Sequence, residues 1–349
     1  LFVLFSIDRL NLTRFFFCNY LSLIFIGMAF LFIINYKVYP IRRNWRLSFV
    51  QLSSYAKEFY EYSSPLFIYA IIGMIIGILD RWFLQVYSGS MEQGFFGLAY
   101  QIGAICFLFN SAMTPLFIRD FSIAFSNRNH REMSNLFSRY IPLFYSVAAF
   151  FSCFVAVQAD KVIQIFGGKQ FSGAYLTVAI MAFFPLHQTY GQLSGSVFLA
   201  TGQTVLYRNI GVFFMLLGIP LAYFLMAPLG SMGRHLGAYG LAIKTVLLQI
   251  IWVNVQLYFN ARMLNLNFMR YLVHQFVIVV CLIILAVFAT SGVDYIWRET
   301  DEVMKPFLTS GLLYTVMTVI LFFLCPTLFG LKKNDIQIVV NLWTSKIRS

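Results

Sequence analysis

The chain has 349 residues, of which 60% are hydrophobic and 11% are charged, and its formal net charge is +12. A soluble domain carries about 25% charged residues, and a soluble chain of this length cannot bury so much apolar surface in one core. The apolar stretches are long and continuous rather than short and alternating, which disfavours a transmembrane β-barrel. The composition therefore predicts an all-α, polytopic transmembrane helix bundle.

Nine apolar runs are long enough to be spans, because a helix needs about 20 apolar residues to cross the hydrocarbon core. Each run should be helical, since backbone groups in lipid must pair within the segment. In chain order the runs cover residues 15–36, 64–86, 94–118, 137–158, 173–199, 206–229, 237–259, 272–290 and 307–329. Prolines interrupt four of the runs, at Pro115, Pro142, Pro185 and Pro220. Transporters use such breaks as hinges or as sources of free carbonyl ligands.

Basic residues between the runs predict the orientation of the chain. One side of the membrane receives 16 Lys and Arg residues and the other receives 8, while Lys244 falls inside a span. The richer side is cytoplasmic by the positive-inside rule, which predicts a cytoplasmic C-terminus. Membrane orientation also explains the high net charge without nucleic acid as a partner.

Three charged residues within the runs are candidate functional residues, because an intramembrane charge costs roughly 2.5–3.5 kcal/mol on insertion scales. Asp80 and Arg81 lie late in the second run, and Lys244 lies early in the seventh. At about 1.5 Å per residue, all three are predicted roughly 10 Å below the outer surface, within reach of one chamber. The alternative is that Arg81 and Lys244 extend to the lipid headgroups and that Asp80 has a structural role.

Two further runs carry stripes of polar side chains. Gln188 and Gln192 are four residues apart in the fifth run and therefore share one helical face. The third run has a weaker stripe with Tyr100 and Asn110, and Gln101 lies beside it. Either the stripes line a water-filled cavity or they bond to other helices as ordinary contacts. The sequence leaves both interpretations open.

Sequence motifs for soluble catalysis are absent: the chain has no Walker loop, no dinucleotide-binding glycine motif and no nucleophile elbow. The five cysteines and four histidines are dispersed along the chain. Neither a disulfide framework nor a metal site is therefore predicted. We expect no cofactor and no enzymatic activity, so that transport draws on an ion gradient, the membrane potential or the gradient of the substrate.

Residues 77–119, GILDRWFLQVYSGSMEQGFFGLAYQIGAICFLFNSAMTPLFIR, resemble the start of the second helical lobe of bacterial polysaccharide (O-antigen) flippases. That family belongs to the superfamily of MATE-type multidrug exporters and lipid II flippases. Its pattern is a span that ends in Asp-Arg, a short loop, a glycine and aromatic motif, and a span that ends near a proline. The matching residues are Asp80, Arg81, Gly94, Phe96, Ala99, Tyr100 and Pro115. Stretches 160–174, 199–204 and 236–243 continue the likeness.

The resemblance implies two lobes of six helices around a central cavity, followed by two extra helices. On that template, residues 1–63 are the end of the first lobe with a basic linker, and residues 64–259 are the second lobe. Residues 260–349 are two additional C-terminal helices with a basic tail. The apolar residues at the start of the chain then continue an earlier run, so we expect an N-terminal part to precede them.

The family also implies a function, which is flipping of a polyprenyl-diphosphate-linked oligosaccharide from the inner to the outer leaflet of the bacterial inner membrane. Membrane lipids and polysaccharide assembly proteins are the other implied partners. Cations in a low-dielectric cavity suit a diphosphate, so Arg81 and Lys244 are the expected diphosphate or coupling residues. Asp80 is expected to couple an ion or to hold Arg81 in place. Sugar hydroxyls suit the polar residues of the two stripes, which are Tyr100, Gln101, Asn110, Gln188 and Gln192.

Two other functions stay open at this stage. A multidrug exporter of the same superfamily would use anionic groups to bind cationic drugs, and Asp80 is the one carboxylate clearly within a predicted span. A membrane glycan polymerase would need a sizeable catalytic outer loop. The largest predicted outer loop, around residues 290–306, is short and acidic.

Overall fold

The computed structural model describes residues 12–34, 36, 49–297 and 302–331, and in these residues every regular element is a helix. The α-helices are α1 Leu12–Ile33, α2 Phe49–Ser126, α3 His130–Val157, α4 Ala159–Phe166, α5 Tyr175–Met181, α6 Phe184–Ala200, α7 Thr204–Met226, α8 Gly237–Met263, α9 Phe268–Ile296 and α10 Met304–Leu324. The predicted all-α class is confirmed. The chain divides into two compact units, Leu1–Tyr60 and Glu61–Ser349.

Within the described residues, seven helices are long and apolar enough to cross a membrane, and they are α1, α2, α3, α7, α8, α9 and α10. The chain is therefore a multi-pass membrane protein. Two of the nine predicted runs, 64–86 and 94–118, lie on either side of Gly89 in α2, which consists of two helices joined across a kink at that residue. The run 173–199 is divided between α5 and α6. The count of nine spans stays a prediction.

Helix α2 contains a break at Gly89, where φ is 82° and ψ is −178°. An L-residue with a side chain rarely adopts this backbone conformation, so glycine permits the break. Before the break, the Tyr62 hydroxyl donates to the Leu199 carbonyl at 3.2 Å. After it, the Thr114 hydroxyl donates to Gln192 Oε1 at 2.8 Å. Both partners lie on α6, so the chain turns at Gly89 and returns toward the same helix.

Proline explains why the fifth run is not one helix. Pro185 occupies the first turn of α6, where its missing N–H and fixed φ are tolerated. The chain turns just before it, at Ala182 and Phe183. Pro115, Pro142 and Pro220 instead lie inside continuous helices, as tertiary contacts in membrane proteins allow.

Helix α8 lies at the centre of the second unit. Its Val253 and Leu257 belong to an apolar cluster shared with α3, α6 and α9. Its Leu241 and Ala242 belong to a second cluster shared with the residues of α2, α5 and α7. Moving apolar side chains from lipid into a helix interface has little hydrophobic driving force, because both environments are apolar. Close packing and interhelical hydrogen bonds therefore hold these helices together.

The two C-terminal helices pack on α3, and α9 also presents an apolar face outward. The Tyr314 hydroxyl of α10 donates to the Phe150 carbonyl of α3 at 3.0 Å. On α9, side chains spaced three or four residues apart are 37–72% exposed, as expected of a surface that faces lipid. They are Val273, Phe276, Val280, Ile284 and Val287. The predicted domain boundaries, 63/64 and 259/260, fall within α2 and α8 and stay predictions.

Candidate substrate-binding site

The structure brings together two of the predicted intramembrane charges. Lys244 Nζ on α8 donates to Asp80 Oδ2 on α2 at 2.5 Å. The Lys244 side chain is 7% exposed and that of Asp80 is 17% exposed. The two charges compensate each other, which lowers the cost of keeping either of them at this depth. Their role in binding or coupling stays a prediction.

The position of the pair along both helices places it inside the apolar region. Lys244 lies seven residues after Gly237, the first residue of α8, which corresponds to about 10 Å at 1.5 Å per residue. Asp80 lies nine residues before the break at Gly89, which corresponds to about 14 Å. A small residue on α7 makes room for the lysine, since a Cβ at Gly218 would lie 2.9 Å from Lys244 Cε.

A pocket of about 130 Å³ opens beside the ion pair. Its polar lining groups come from Asp80, Lys244, Thr245 and Gln249, and its other walls are Ile76, Phe214, Met215, Leu248 and Trp252. A water molecule takes about 30 Å³ of liquid volume, so the pocket has room for about four waters. An apolar wall with a few converging polar groups is the usual composition of a ligand site.

Amide groups connect this pocket to α6. Gln249 Nε2 donates to Gln188 Oε1 at 2.8 Å. Gln192, one turn further along α6, accepts the bond from Thr114 on α2. The predicted polar stripe on α6 therefore contacts neighbouring helices, and at Gln188 it reaches the pocket through Gln249.

Other predicted residues lie elsewhere. Arg81 and Gln101 are exposed on α2 and do not line the pocket. Tyr100 is 42% exposed, and its ring centroid lies 5.9 Å from that of Phe184. The side chain of Asn110 lies outside the described residues. The structure thus brings Asp80 and Lys244 together at one pocket. Gln188 lies behind this pocket, bonded to Gln249, and Arg81 lies outside it.

Sequence reasoning missed a row of amides on α8. Gln249, Gln256 and Asn260 are spaced by seven and four residues and lie on one face of the helix. Asn260 Nδ2 donates to Ser194 Oγ on α6 at 2.6 Å. Gln256 is 1% exposed, and within the described part of the chain its amide has no hydrogen-bond partner. The helical spacing of these amides in an apolar run was the signal that could have found them.

A larger cavity of about 720 Å³ lies among α2, α3, α4 and α10. Its walls are almost entirely apolar, with hydroxyl groups from Tyr314 and Thr315 and no charged residue among the described ones. It therefore offers no counterpart to the ion pair. Within residues 12–34, 49–297 and 302–331, no group of three or more His, Cys, Asp or Glu side chains is placed to hold a metal ion.

Comparison with known proteins identified no relative. No family model, no curated protein and no solved structure matches the chain. The interpretation of the site therefore depends on its geometry and on the resemblance described above.

Proposed function

We propose that this chain belongs to a transporter that flips a polyprenyl-diphosphate-linked oligosaccharide, such as an O-antigen repeat unit, from the inner to the outer leaflet by alternating access. The observation that carries the proposal is the buried Lys244–Asp80 pair beside a pocket inside a membrane-spanning bundle. Charged groups at this depth are costly and typically mark substrate or ion pathways. The proposal is for transport, without catalysis and without a cofactor.

The chemistry of the pocket suits such a substrate. The Lys244 ammonium is a partner for a diphosphate oxygen, and this interaction is strong where water is excluded. The amides of Gln249 and Gln188 are suited to sugar hydroxyls. Trp252 supplies an apolar aromatic wall. The break at Gly89, nine residues from Asp80, is a place where α2 can bend during alternating access.

The same pair argues against a multidrug exporter. Such a protein would hold cationic drugs with an anionic group, and the Asp80 carboxylate is already paired with the Lys244 ammonium. The pocket therefore carries no net negative charge with which to attract a cation. We rank export of cationic drugs below flipping of an anionic lipid for this reason.

Basic residues at one end of the bundle support a cytoplasmic assignment for that end. The Ser134 hydroxyl donates to the Leu264 carbonyl at 2.8 Å, which joins the start of α3 to the end of α8. The turn before α3 and the adjoining ends of α3, α8 and α9 carry Arg128, Arg131, Arg262 and Arg270. By the positive-inside rule these residues face the cytoplasm. We propose this orientation, with a cytoplasmic C-terminus, in the inner membrane of a bacterium.

The test is complementation of a strain that lacks the full-length gene. Surface glycan and lipid-linked repeat units in each leaflet are quantified with the wild type and with Lys244→Met. The matched control is Lys161→Met, which removes another 2.5 Å ion pair, with Asp294, away from the pocket. We expect Lys244→Met to trap repeat units on the cytoplasmic leaflet and Lys161→Met to restore export.

Three other outcomes would contradict the proposal. Normal export with Lys244→Met would remove the ion pair from the mechanism. Drug sensitivity in the deletion strain without trapped repeat units would indicate a multidrug exporter. Single repeat units accumulating on the outer leaflet would indicate a polymerase.

A further inference from the structure

The Lys244–Asp80 pair is isolated within its pocket. Among the described residues, Asp80 is the one anionic partner of Lys244, and the neighbouring walls are mostly apolar. An unpaired charge in such surroundings is strongly unfavourable, and a lysine without an anion tends to lose its proton instead. An entering anion can therefore replace Asp80 while the ammonium keeps its charge.

The pocket has room for a small anionic group beside Lys244. A volume of about 130 Å³ accommodates a group of the size of a phosphate beside the ammonium. A second donor is at hand, since the Gln249 amide has two N–H groups and uses one on Gln188. A phosphate oxygen beside Lys244 would accept from the ammonium and from this amide.

We propose that Asp80 is an internal substitute for the phosphate of the cargo. In this structure the Asp80 carboxylate binds the Lys244 ammonium, and an entering phosphate would replace the carboxylate there. This inference rests on the proposed function and deepens it, because it names the group of the cargo that binds Lys244. It also assigns Asp80 a competing role instead of an ion-binding role.

A consequence of the exchange is loss of the ion pair between α2 and α8. Asp80 and Lys244 connect residues 61–88 of α2 to α8 on one side of the Gly89 break. On the other side, Glu92 Oε2 accepts from the Ala238 amide at the start of α8 at 2.7 Å. Displacement of Asp80 by phosphate frees the first contact and leaves the second in place. Binding of the cargo thereby weakens the attachment of residues 61–88 to α8, and packing of Leu84 and the Tyr62–Leu199 bond still hold this segment.

The experiment measures binding of farnesyl diphosphate to the purified full-length protein in phosphatidylcholine nanodiscs by calorimetry, with farnesol as the uncharged control ligand. If the internal pair is formed about nine-tenths of the time, removal of the competitor tightens apparent binding about tenfold. We therefore expect Asp80→Asn to bind at least about tenfold more tightly than the wild type. Asp80→Glu, which keeps the carboxylate, should bind like the wild type.

Two variants test whether the effect comes from this pocket. The double variant Asp80→Asn/Lys244→Met should lose binding, because no cation remains to hold the phosphate. The control Asp294→Asn frees Lys161 from an equally short pair outside the pocket and should leave the affinity unchanged. If Asp80→Asn does not purify as a folded protein, Asp80→Ser provides the same comparison.

The outcomes separate this inference from the proposed function. Binding by the wild type that requires Lys244 but does not tighten in Asp80→Asn or Asp80→Ser would overturn the role of Asp80 and leave the function standing. Binding that persists without Lys244, or no binding of farnesyl diphosphate by any variant, would overturn both. Equal binding of farnesol would also overturn both, because the phosphate would then contribute nothing.

Discussion

Removal of one charge of the Lys244–Asp80 pair should destabilise the protein more than removal of both. The two charged atoms are 2.5 Å apart, and at an effective dielectric constant of about 20 their attraction is about 6–7 kcal/mol. Much of this attraction offsets the cost of taking both ions out of water, and loss of a single partner from a buried pair costs about 3–5 kcal/mol. Replacement of both partners by neutral residues is often close to neutral.

The assay is a double-mutant cycle of unfolding free energies, measured by SDS titration in mixed micelles. We expect Asp80→Asn and Lys244→Met each to lower the unfolding free energy by about 3 kcal/mol or more. The double variant should lower it less than either single variant. The Lys161–Asp294 pair is the control, because Asp294 is 46% exposed and an exposed pair contributes at most about 1 kcal/mol. The reasoning would be refuted if the sum of the two single-variant decreases in unfolding free energy equalled the decrease in the double variant within about 0.5 kcal/mol.

Three further predictions concern the residues that hold α2, α3 and α8 in place, each measured by the same titration. Glu92→Ala should lower the free energy of unfolding by about 1 kcal/mol, because the first turn of α8 loses the acceptor for Ala238 N. Glu92→Gln keeps an acceptor and should lower it less, and equal decreases would contradict this prediction. Gly89→Ala should lower the free energy of unfolding by about 1–3 kcal/mol through backbone strain. The control Gly97→Ala should not lower it, because Gly97 is in a regular helical position with open space around it. Gln158→Leu should lower the free energy of unfolding by about 1–3 kcal/mol, because the buried amide of Gln158 donates to hydroxyls on α9 and α10. An unchanged free energy of unfolding would show that these hydrogen bonds make no net contribution.

The similar depth of Asp80 and Lys244 was accessible from the sequence because helical rise is uniform, but their direct contact was not predicted. Runs of known direction place residues at similar depth when they are similar distances from the same end. What the sequence did not reveal is which of Asp80 and Arg81 faces α8. In a soluble helix, polar residues mark the outer face, but both faces of α2 are apolar, so the sequence does not indicate which face is buried. Packing in the structure determines the buried face, since Ile76 and Leu84, one turn on either side of Asp80, are buried.

The division of the fifth run was harder to predict for a related reason. Pro185 was recognised as an interruption, but Pro142 and Pro220 are equally visible in the sequence and lie inside unbroken helices. Proline at a helix start has no missing bond to compensate, whereas proline inside a helix does. Which case applies depends on whether neighbouring helices satisfy the freed carbonyl, and this is a tertiary property.

The arrangement around α8 suggests why charge is used at one contact and amides at the others. Toward α6, α8 is held by neutral bonds such as those of Gln249 and Asn260, and an entering phosphate does not compete strongly for them. Toward α2 it is held by an ion pair, the contact that an anion can replace. If α6 and α8 form the fixed side of the pocket and residues 61–88 of α2 the movable side, the chemistry of each contact matches its role. Substitution of the ion pair by a neutral amide pair should then preserve the fold and uncouple α2 from the cargo.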